Sequence, residues 1–324
     1  MRGKGITYDT GYVNSGSSTR DVFDPEVVAR EMRVIREELH CDTVRVTGTE
    51  PERLELAGRL AAEAGLAVWL GPFTCDHVGD ELLLDCAERA ERLRKDGADV
   101  VFVAGAELSI LSAGFLPGAT VAERLELLND PRTLRAAIGG VPAAINAFFA
   151  ETIPAVRERF HGLVTYASIP FEGVDWSLFD IVSVDFYRAA EIAHLFEGAV
   201  RTLVEQGKPV AITEFGSATF SGAGDLGARG GMIVEWDGGT PLRLDGDYPR
   251  DEEEQATYLR EVYAVFAWEG VAYTFANTFA GYHLPHRAEP RDDLDRSSYG
   301  VVKVYDDLSW QPKAAFAALA DLYR

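Results

Sequence analysis

Hydrophobic and polar positions follow two alternating patterns along the chain. Short runs of β-branched and apolar residues are separated by longer stretches in which apolar residues recur every three or four positions. In the first such stretch Val28, Met32 and Ile35 fall on one face of a helix. The run VVFVAGA (100–106) is apolar on both faces, as in parallel strands that are covered on both sides. The pattern therefore predicts parallel strands that alternate with helices.

Eight strands and seven of the intervening helices can be located from this pattern. The predicted strands are KGITY (4–8), DTVRVTG (42–48), LAVWLGPF (66–73), ADVVFVAGAE (98–107), LVTYAS (163–168), FDIVSVDFY (179–187), VAITEFG (210–216) and VAYTFANTF (271–279). The predicted helices are 25–39, one that opens at Pro51, 81–96, 141–160, 192–206, 252–269 and 313–323.

Strand and helix repeats over 324 residues match an α/β protein with a single (β/α)8 TIM barrel, so residues 1–324 are predicted to form one domain. A doubly wound open sheet is the competing layout. It is disfavoured because no G-x-G-x-x-G sequence follows the first strand and no Walker sequence is present.

Two connections, residues 108–140 and 215–251, are unusually long. Connections beyond about 12 to 15 residues are usually functional or disordered. Both follow the carboxyl ends of strands, where active sites form in barrels, so they are predicted to lie over the catalytic face. The second is rich in glycine but contains Met232 and Trp236, which suggests a flap with a possible hairpin.

The charge balance and the cysteines exclude several classes of function. Thirty-one Lys and Arg against 52 Asp and Glu give a net charge of −21, which repels phosphate backbones and anionic lipids. We therefore expect neither a nucleic-acid partner nor a membrane partner. Cys41, Cys75 and Cys86 show no C-x-x-C spacing, so reduced thiols are expected. The first residues lack a secretory signal and no run of about 18 apolar residues is present, which predicts a cytoplasmic enzyme.

Two acidic residues stand where catalytic groups of a barrel are expected. Glu107 follows the fourth predicted strand and Glu214 lies at the end of the seventh, each directly after an apolar run. Partial burial at such a position raises the pKa of a carboxyl or fixes its orientation. The alternative is that both cap the following loops or helices. Their occurrence as a pair favours catalysis.

Polar and aromatic residues near the other strand ends complete the predicted site. The predicted substrate-binding residues are Arg45, Trp69, Asp185, Tyr187, Trp236, Asn277, Tyr282 and His283. His283 and His286 also have an H-x-x-H spacing, and Asp76 and His77 follow the third strand. A metal site is therefore an alternative for these residues. Pro285 argues against one helical face that presents both histidines, so neither a metal nor a cofactor is predicted.

Short motifs around these residues resemble those of the retaining glycoside hydrolases on (β/α)8 barrels, the group called clan A. The motifs are GAELS around Glu107, ITEFG around Glu214, TVRV around Arg45 and VDFY with Tyr187. The resemblance covers the barrel as a layout but matches only short segments. It implies that Glu107 is the acid/base, that Glu214 is the nucleophile, and that Arg45 and Tyr187 lie beside Glu214. Chains of this general kind also resemble proteins labelled as abortive phage infection proteins.

Two positions depart from the family pattern. Ala106 stands where much of the family has an asparagine that binds the substrate's 2-hydroxyl, and Phe275, Phe279 and Tyr282 replace a frequent tryptophan platform. Hydrogen bonds to the 2-hydroxyl strengthen in the transition state of glycoside hydrolysis, so Ala106 bears on the reaction.

Three classes of function therefore stay open. The first is a glycosidase that cleaves a small or metabolite-linked glycoside or oligosaccharide by a two-carboxylate retaining mechanism. The second uses the same carboxylates for acid/base chemistry on a non-sugar metabolite, which Ala106 favours. The third is a non-catalytic binding or phage-defence protein, since a fold does not fix a function. The sugar, its anomeric configuration and the oligomeric state are left open.

Overall fold

Eight parallel strands form one sheet in the computed structural model, which describes residues 1–75, 80–129 and 131–324. The strands are β1 (Gly3–Asp9), β2 (Thr43–Gly48), β3 (Ala67–Pro72), β4 (Val100–Ala106), β5 (Leu163–Ala167), β6 (Val182–Asp185), β7 (Val210–Phe215) and β8 (Tyr273–Ala276). Their order in the sheet is β5-β4-β3-β2-β1-β8-β7-β6. All eight predicted strands are thus confirmed.

The sheet nearly closes on itself between β5 and β6. These two strands share a single isolated bridge, Ser168 with Val184, instead of a continuous ladder. Side chains supply further contacts, since the Thr165 hydroxyl donates to the Ile181 carbonyl over 2.9 Å and lies 2.7 Å from the Ser183 hydroxyl. The result is the predicted (β/α)8 barrel, with a seam at this junction.

Seven long helices surround the sheet in the described part of the chain. They are α1 (Pro25–Glu37), α2 (Pro51–Glu63), α3 (Asp80–Lys95), α4 (Val141–Arg159), α5 (Ala193–Val204), α6 (Glu252–Glu269) and α7 (Ala314–Tyr323). Local signals set their ends: prolines open α1 and α2, Asp251 caps the start of α6, and Gly270 ends α6 at φ +84°. The repeat is incomplete in one place, because 3₁₀ turns at Pro170–Glu172 and Trp176–Leu178 stand where a helix between β5 and β6 would be.

The inside of the barrel is filled by large side chains opposite glycines. Trp69 packs on Tyr273 and Phe275 of β8, with ring centroids 5.1 and 4.8 Å apart. On β1 a Cβ at Gly5 would lie 2.7 Å from the Phe275 ring, so only glycine leaves room for it. These rings form a packed floor below the carboxyl ends of the strands.

Both long connections contain secondary structure. The segment between β4 and α4 forms short helices at Leu108–Leu111, Val121–Glu126 and Pro131–Ala137. The segment between β7 and α6 contains an antiparallel ribbon of Val234–Asp237 with Thr240–Leu244, which we call the flap ribbon. The predicted hairpin is therefore confirmed.

The flap ribbon touches the connection that follows β1. The Thr240 hydroxyl lies 3.1 Å from that of Ser17, which belongs to a small ribbon after β1. Next to it, Gly239 approaches the Asn14 carbonyl so closely that a Cβ would lie 2.0 Å from the oxygen. Since β8 lies between β7 and β1 in the sheet, these contacts join the connections of two strands that are not neighbours.

One stretch of the described helices, Arg132–Arg159, is long and apolar enough to cross a membrane by length and composition alone. No such stretch is expected from the sequence, which predicts a helix only over 141–160 in this region. The stretch consists of part of Pro131–Ala137, the 3₁₀ turn Ile138–Gly140 and α4. Length and composition alone are weak evidence, because core helices of soluble proteins share both.

Candidate active site

Three carboxyl groups meet at the carboxyl ends of β4, β6 and β7. One oxygen each from Glu107, Asp185 and Glu214 lies within 4.8 Å of the other two. The ladder between β6 and β7 shifts register between Val184 and Asp185, which places Asp185 opposite Glu214. Irregularities of this kind redirect side chains at barrel rims. The expectation that Glu107 and Glu214 converge at one rim is met.

Glu214 is held by three donors from different parts of the barrel. Arg45 Nη1 on β2 donates to its Oε1 over 2.7 Å. Its Oε2 accepts from the Tyr187 hydroxyl over 2.9 Å and from Asn277 Nδ2 over 3.1 Å. The side chain is 13% exposed, so one edge remains open. Donors on both oxygens fix the direction of this side chain.

Glu107 has a contrasting environment. Its backbone lies in the left-handed region at φ +42°, which few residues other than glycine adopt and which often occurs at functional sites. Among the described residues none donates a hydrogen bond to its carboxyl. Burial, followed by the charges of Asp185 and Glu214, raises the pKa of Glu107 well above its ordinary value. The protonated acid is thus the favoured form.

Asp185 lies beneath these two groups. Its side chain is 0% exposed, 4.0 Å from Arg45 Nη1. Neither of its oxygens has a well-aligned hydrogen bond from a described residue. Burial and then the Glu214 charge raise its pKa, whereas Arg45 opposes the rise. Because it is closed to solvent, Asp185 does not line the open site as the sequence analysis expected.

Sequence reasoning missed three residues around the carboxyl cluster. Glu172 is buried beside Glu107 and accepts from the Tyr166 and Ser168 hydroxyls, each over 2.9 Å. Tyr12 follows β1, and burial together with several acidic neighbours, Glu214 and Glu107 among them, raises its pKa well above the ordinary value. Tyr299 packs edge-on against Tyr187 and donates to the Gly227 carbonyl over 2.7 Å, which links the flap segment to the site. Tyr12 and Glu172 each follow a predicted strand by four residues, and Tyr299 lies in the long connection after β8, so strand position alone did not single them out.

Two of the predicted substrate-binding residues lie elsewhere. Trp69 is 1% exposed within the barrel floor, so it supports the site from below without facing the open side. The Tyr282 hydroxyl donates to Glu31 of α1, and the Arg20 guanidinium lies 4.2 Å from its ring centroid. This places Tyr282 outside the barrel, because the chain after β8 turns back toward α1.

Trp236 and His283 form a separate pair near the flap ribbon. Trp236 is 45% exposed and its ring centroid lies 6.3 Å from that of His283. Burial lowers the pKa of His283 to about 4, so the ring is neutral at neutral pH. His286 instead contacts Asp293 at 2.8 Å. Asp76 and His77, the other histidine-containing candidate, fall outside the described residues.

The three carboxyls are close enough to hold a metal ion. However, Glu214 already accepts hydrogen bonds on both oxygens, and one donor is a guanidinium. A cation would have to share Glu214 with the positive charge of Arg45. The donors around Glu214 are therefore better suited to orienting a carboxylate toward Glu107 than to a metal site.

A cavity of about 650 Å³ lies at the other end of the barrel. Its lining includes Arg59, Glu63, Asp96 and Asp99. These residues flank the amino ends of β3 and β4, where barrels rarely carry active sites. The carboxyl cluster is therefore the better candidate.

Comparisons with known proteins support the fold. No family model and no curated protein matches the chain. A calcium-binding mutant of Bacteroides uniformis β-glucuronidase 2 matches with a TM-score of 0.62 and 13% identity, over 100% of this chain and 34% of that one. Saccharomyces cerevisiae Gas2p, in complex with laminaripentaose, gives 0.54 and 14%, over 100% and 64%. The Thermotoga petrophila endo-1,4-β-D-mannanase gives 0.50 and 12%, over 100% and 99%.

The chain spans about a third of the length of the glucuronidases that it matches, 34% and 37% of two of them. At these identities the likeness shows a barrel of the kind found in glycoside hydrolases. Nothing in the comparisons supports the resemblance to abortive phage infection proteins.

Proposed function

We propose that the protein is a retaining glycoside hydrolase in which Glu107 is the acid/base and Glu214 the nucleophile. The observation that carries this is the distance between one carboxyl oxygen of Glu107 and one of Glu214, which is at most 4.8 Å. Retaining enzymes have carboxyls about 5 to 5.5 Å apart, whereas inverting enzymes need about 6.5 to 9.5 Å for an intervening water. The glycoside hydrolases among the structural neighbours are consistent with this proposal.

The different environments of the two carboxyls match the two roles in the first step. Glu214, ionised and oriented by Arg45, Tyr187 and Asn277, attacks the anomeric carbon of the sugar. As the glycosidic bond breaks, protonated Glu107 gives its proton to the leaving oxygen. The products of this step are the free aglycone and a sugar ester of Glu214.

The second step returns the enzyme to its starting state. Glu107, now a carboxylate, takes a proton from water while the water oxygen attacks the anomeric carbon. The ester bond breaks and Glu214 regains its negative charge. Two inversions at one carbon give net retention of configuration.

We propose a small glycoside or a sugar-linked metabolite as the substrate. The contact between the flap ribbon and the ribbon after β1 supports this, because it joins two connections that follow the carboxyl ends of strands. Ala106 offers no side-chain hydrogen bond to a 2-hydroxyl. This residue favours the second candidate function, in which Glu107 and Glu214 transfer protons on a non-sugar metabolite without forming a sugar ester.

A covalent trap distinguishes these candidates. The protein is incubated with a panel of fluorogenic glycosides and with 2-deoxy-2-fluoro glycosyl fluorides, and its peptides are then weighed. We expect at least one glycoside to be hydrolysed and the fluorosugar mass to appear on the Glu214 peptide. Glu214→Gln abolishes the label, whereas Glu261→Gln on the outer face of α6 keeps it. If no glycoside of the panel is hydrolysed and the Glu214 peptide stays unlabelled, the proposal is contradicted.

A further inference from the structure

The three-carboxyl cluster contains one more acid than the proposed reaction uses. Asp185 has a fully buried side chain, and its carboxyl lies within 4.8 Å of both Glu107 and Glu214. Arg45 is the cation that contacts the cluster, 2.7 Å from Glu214 and 4.0 Å from Asp185. Its single positive charge therefore faces three groups that can each carry a negative charge.

The contacts rank the three groups by how well each tolerates a charge. Glu214 comes first, because donors occupy both of its oxygens. Asp185 comes second: burial raises its pKa too, but the Arg45 guanidinium lies 4.0 Å away and opposes the rise more than it does for Glu107. Glu107 comes last, since it has neither a described donor nor a close cation. The proton in the cluster should thus reside on Glu107.

We infer that Asp185 is a positioning residue whose buried negative charge keeps the proton on Glu107. Glu214 contributes to this effect as well, but Arg45, 2.7 Å from its Oε1, offsets part of its charge. The inference builds on the proposed function, in which Glu107 must begin each cycle as an acid. The charge of Asp185 persists when Glu214 becomes esterified, so it also makes Glu107 a stronger base for the second step.

Other charged or titratable groups surround Glu107 and Asp185. Those that act on Glu107 or Asp185 from the neighbouring elements are Arg45, Glu172, Glu214, Tyr12, Tyr166 and Tyr187. Glu172 is the closest comparison, because it is a second buried acid beside Glu107. Unlike Asp185, it is surrounded by donors, including Tyr166, Ser168 and the Ser109 amide. Its charge is therefore better screened.

Direct titration tests the inference without any substrate. Protein with ¹³C-labelled glutamate carboxyls is titrated by NMR, and the Glu107 signal is assigned by its loss in Glu107→Gln. In Asp185→Asn the titration midpoint of Glu107 should fall by about one to two pH units, as expected for a charge at this distance. Glu172→Gln, the matched control, should move it by less than half as much. An unchanged midpoint in a folded Asp185→Asn protein would overturn the inference.

A second measurement needs no variant at position 185. With ¹³C-labelled aspartate in the wild-type protein, the most buried aspartate signal should already be ionised at a pH where Glu107 is still protonated. The opposite order would overturn the inference. If Glu107 and Asp185 titrate as expected but no glycoside is cleaved, the proposed function fails and the role of Asp185 stands. If glycosides are cleaved and the titration midpoint of Glu107 is the same in the wild type and in Asp185→Asn, only this inference fails.

Discussion

The hydroxyl of Tyr187 donates to Glu214 Oε2 over 2.9 Å and accepts from Asn277 Nδ2, also over 2.9 Å. Tyr187→Phe removes this donor while Asn277 and Arg45 remain. A hydrogen bond to a charged group contributes about 1.5 to 3 kcal/mol, so kcat/KM on a cleaved glycoside should fall roughly 10- to 100-fold. Tyr305→Phe, outside the site, should change it less than twofold. Equal values for the wild type and Tyr187→Phe would show that the hydroxyl does not assist Glu214.

Glu107 should make the protein less stable at neutral pH than at acidic pH. Burial and the neighbouring carboxylates raise its folded pKa, whereas in the unfolded chain it ionises near pH 4.3. Stability attributable to this group is full below that value and is lost as the pH rises toward the folded pKa. Glu107→Gln cannot ionise, so its Tm should exceed that of the wild type by roughly 2 to 5 °C at pH 8.

Thermal unfolding of both proteins between pH 4.5 and 8 measures this difference. The gap in Tm should widen steadily with pH, and Glu261→Gln should show no such widening. A gap that stays constant would mean that Glu107 is not a desolvated acid.

Trp236 is predicted to contact the outer part of the substrate. It is 45% exposed on the flap ribbon beside His283. Trp236→Ala should raise KM about 5- to 10-fold through the loss of aromatic contact, with kcat within about twofold. Trp268→Ala removes an even more exposed tryptophan, 82% exposed on α6, and should leave both constants unchanged. If both variants behave alike, the flap ribbon does not contact substrate.

Glu31 should be the acid whose loss most weakens the fold. It is buried on α1 and accepts from Tyr8, Tyr282 and Trp310 while it pairs with Arg20. Glu31→Ala leaves a buried arginine without its carboxylate, so the free energy of unfolding should drop by about 3 to 5 kcal/mol. Glu37→Ala, on the exposed side of the same helix, should change it by less than about 0.5 kcal/mol. Urea unfolding monitored by circular dichroism gives both values.

The barrel and the meeting of Glu107 with Glu214 were predictable from the sequence because both follow from simple rules. Apolar runs alternate with amphipathic stretches, and residues at the carboxyl ends of parallel strands share one rim. Arg45, Tyr187 and Asn277 were found by the same rule, and all three belong to the hydrogen-bonded group around Glu214. Their roles in catalysis remain predictions.

The rule failed where the backbone departs from regular strands. Asp185 was expected to bind substrate, but it lies below the open site next to a register shift. Tyr282 was predicted to bind substrate, but the 37-residue path between β8 and α7 carries it to α1, and no periodic pattern specifies such a path. Glu172 sits in a 3₁₀ turn, which has no recognisable apolar period.

The seam between β5 and β6 has a consequence for how the barrel comes apart. The other neighbouring strands of the sheet are paired through ladders, whereas this junction has one isolated bridge, a hydrogen bond from the Asp180 amide to the Val164 carbonyl, and the hydroxyls of Thr165 and Ser183. Deuterium should therefore enter here first under native conditions, because local opening requires the fewest broken bonds. Since Asp185 ends β6, such an opening would let water reach the floor of the catalytic cluster before the rest of the sheet has moved.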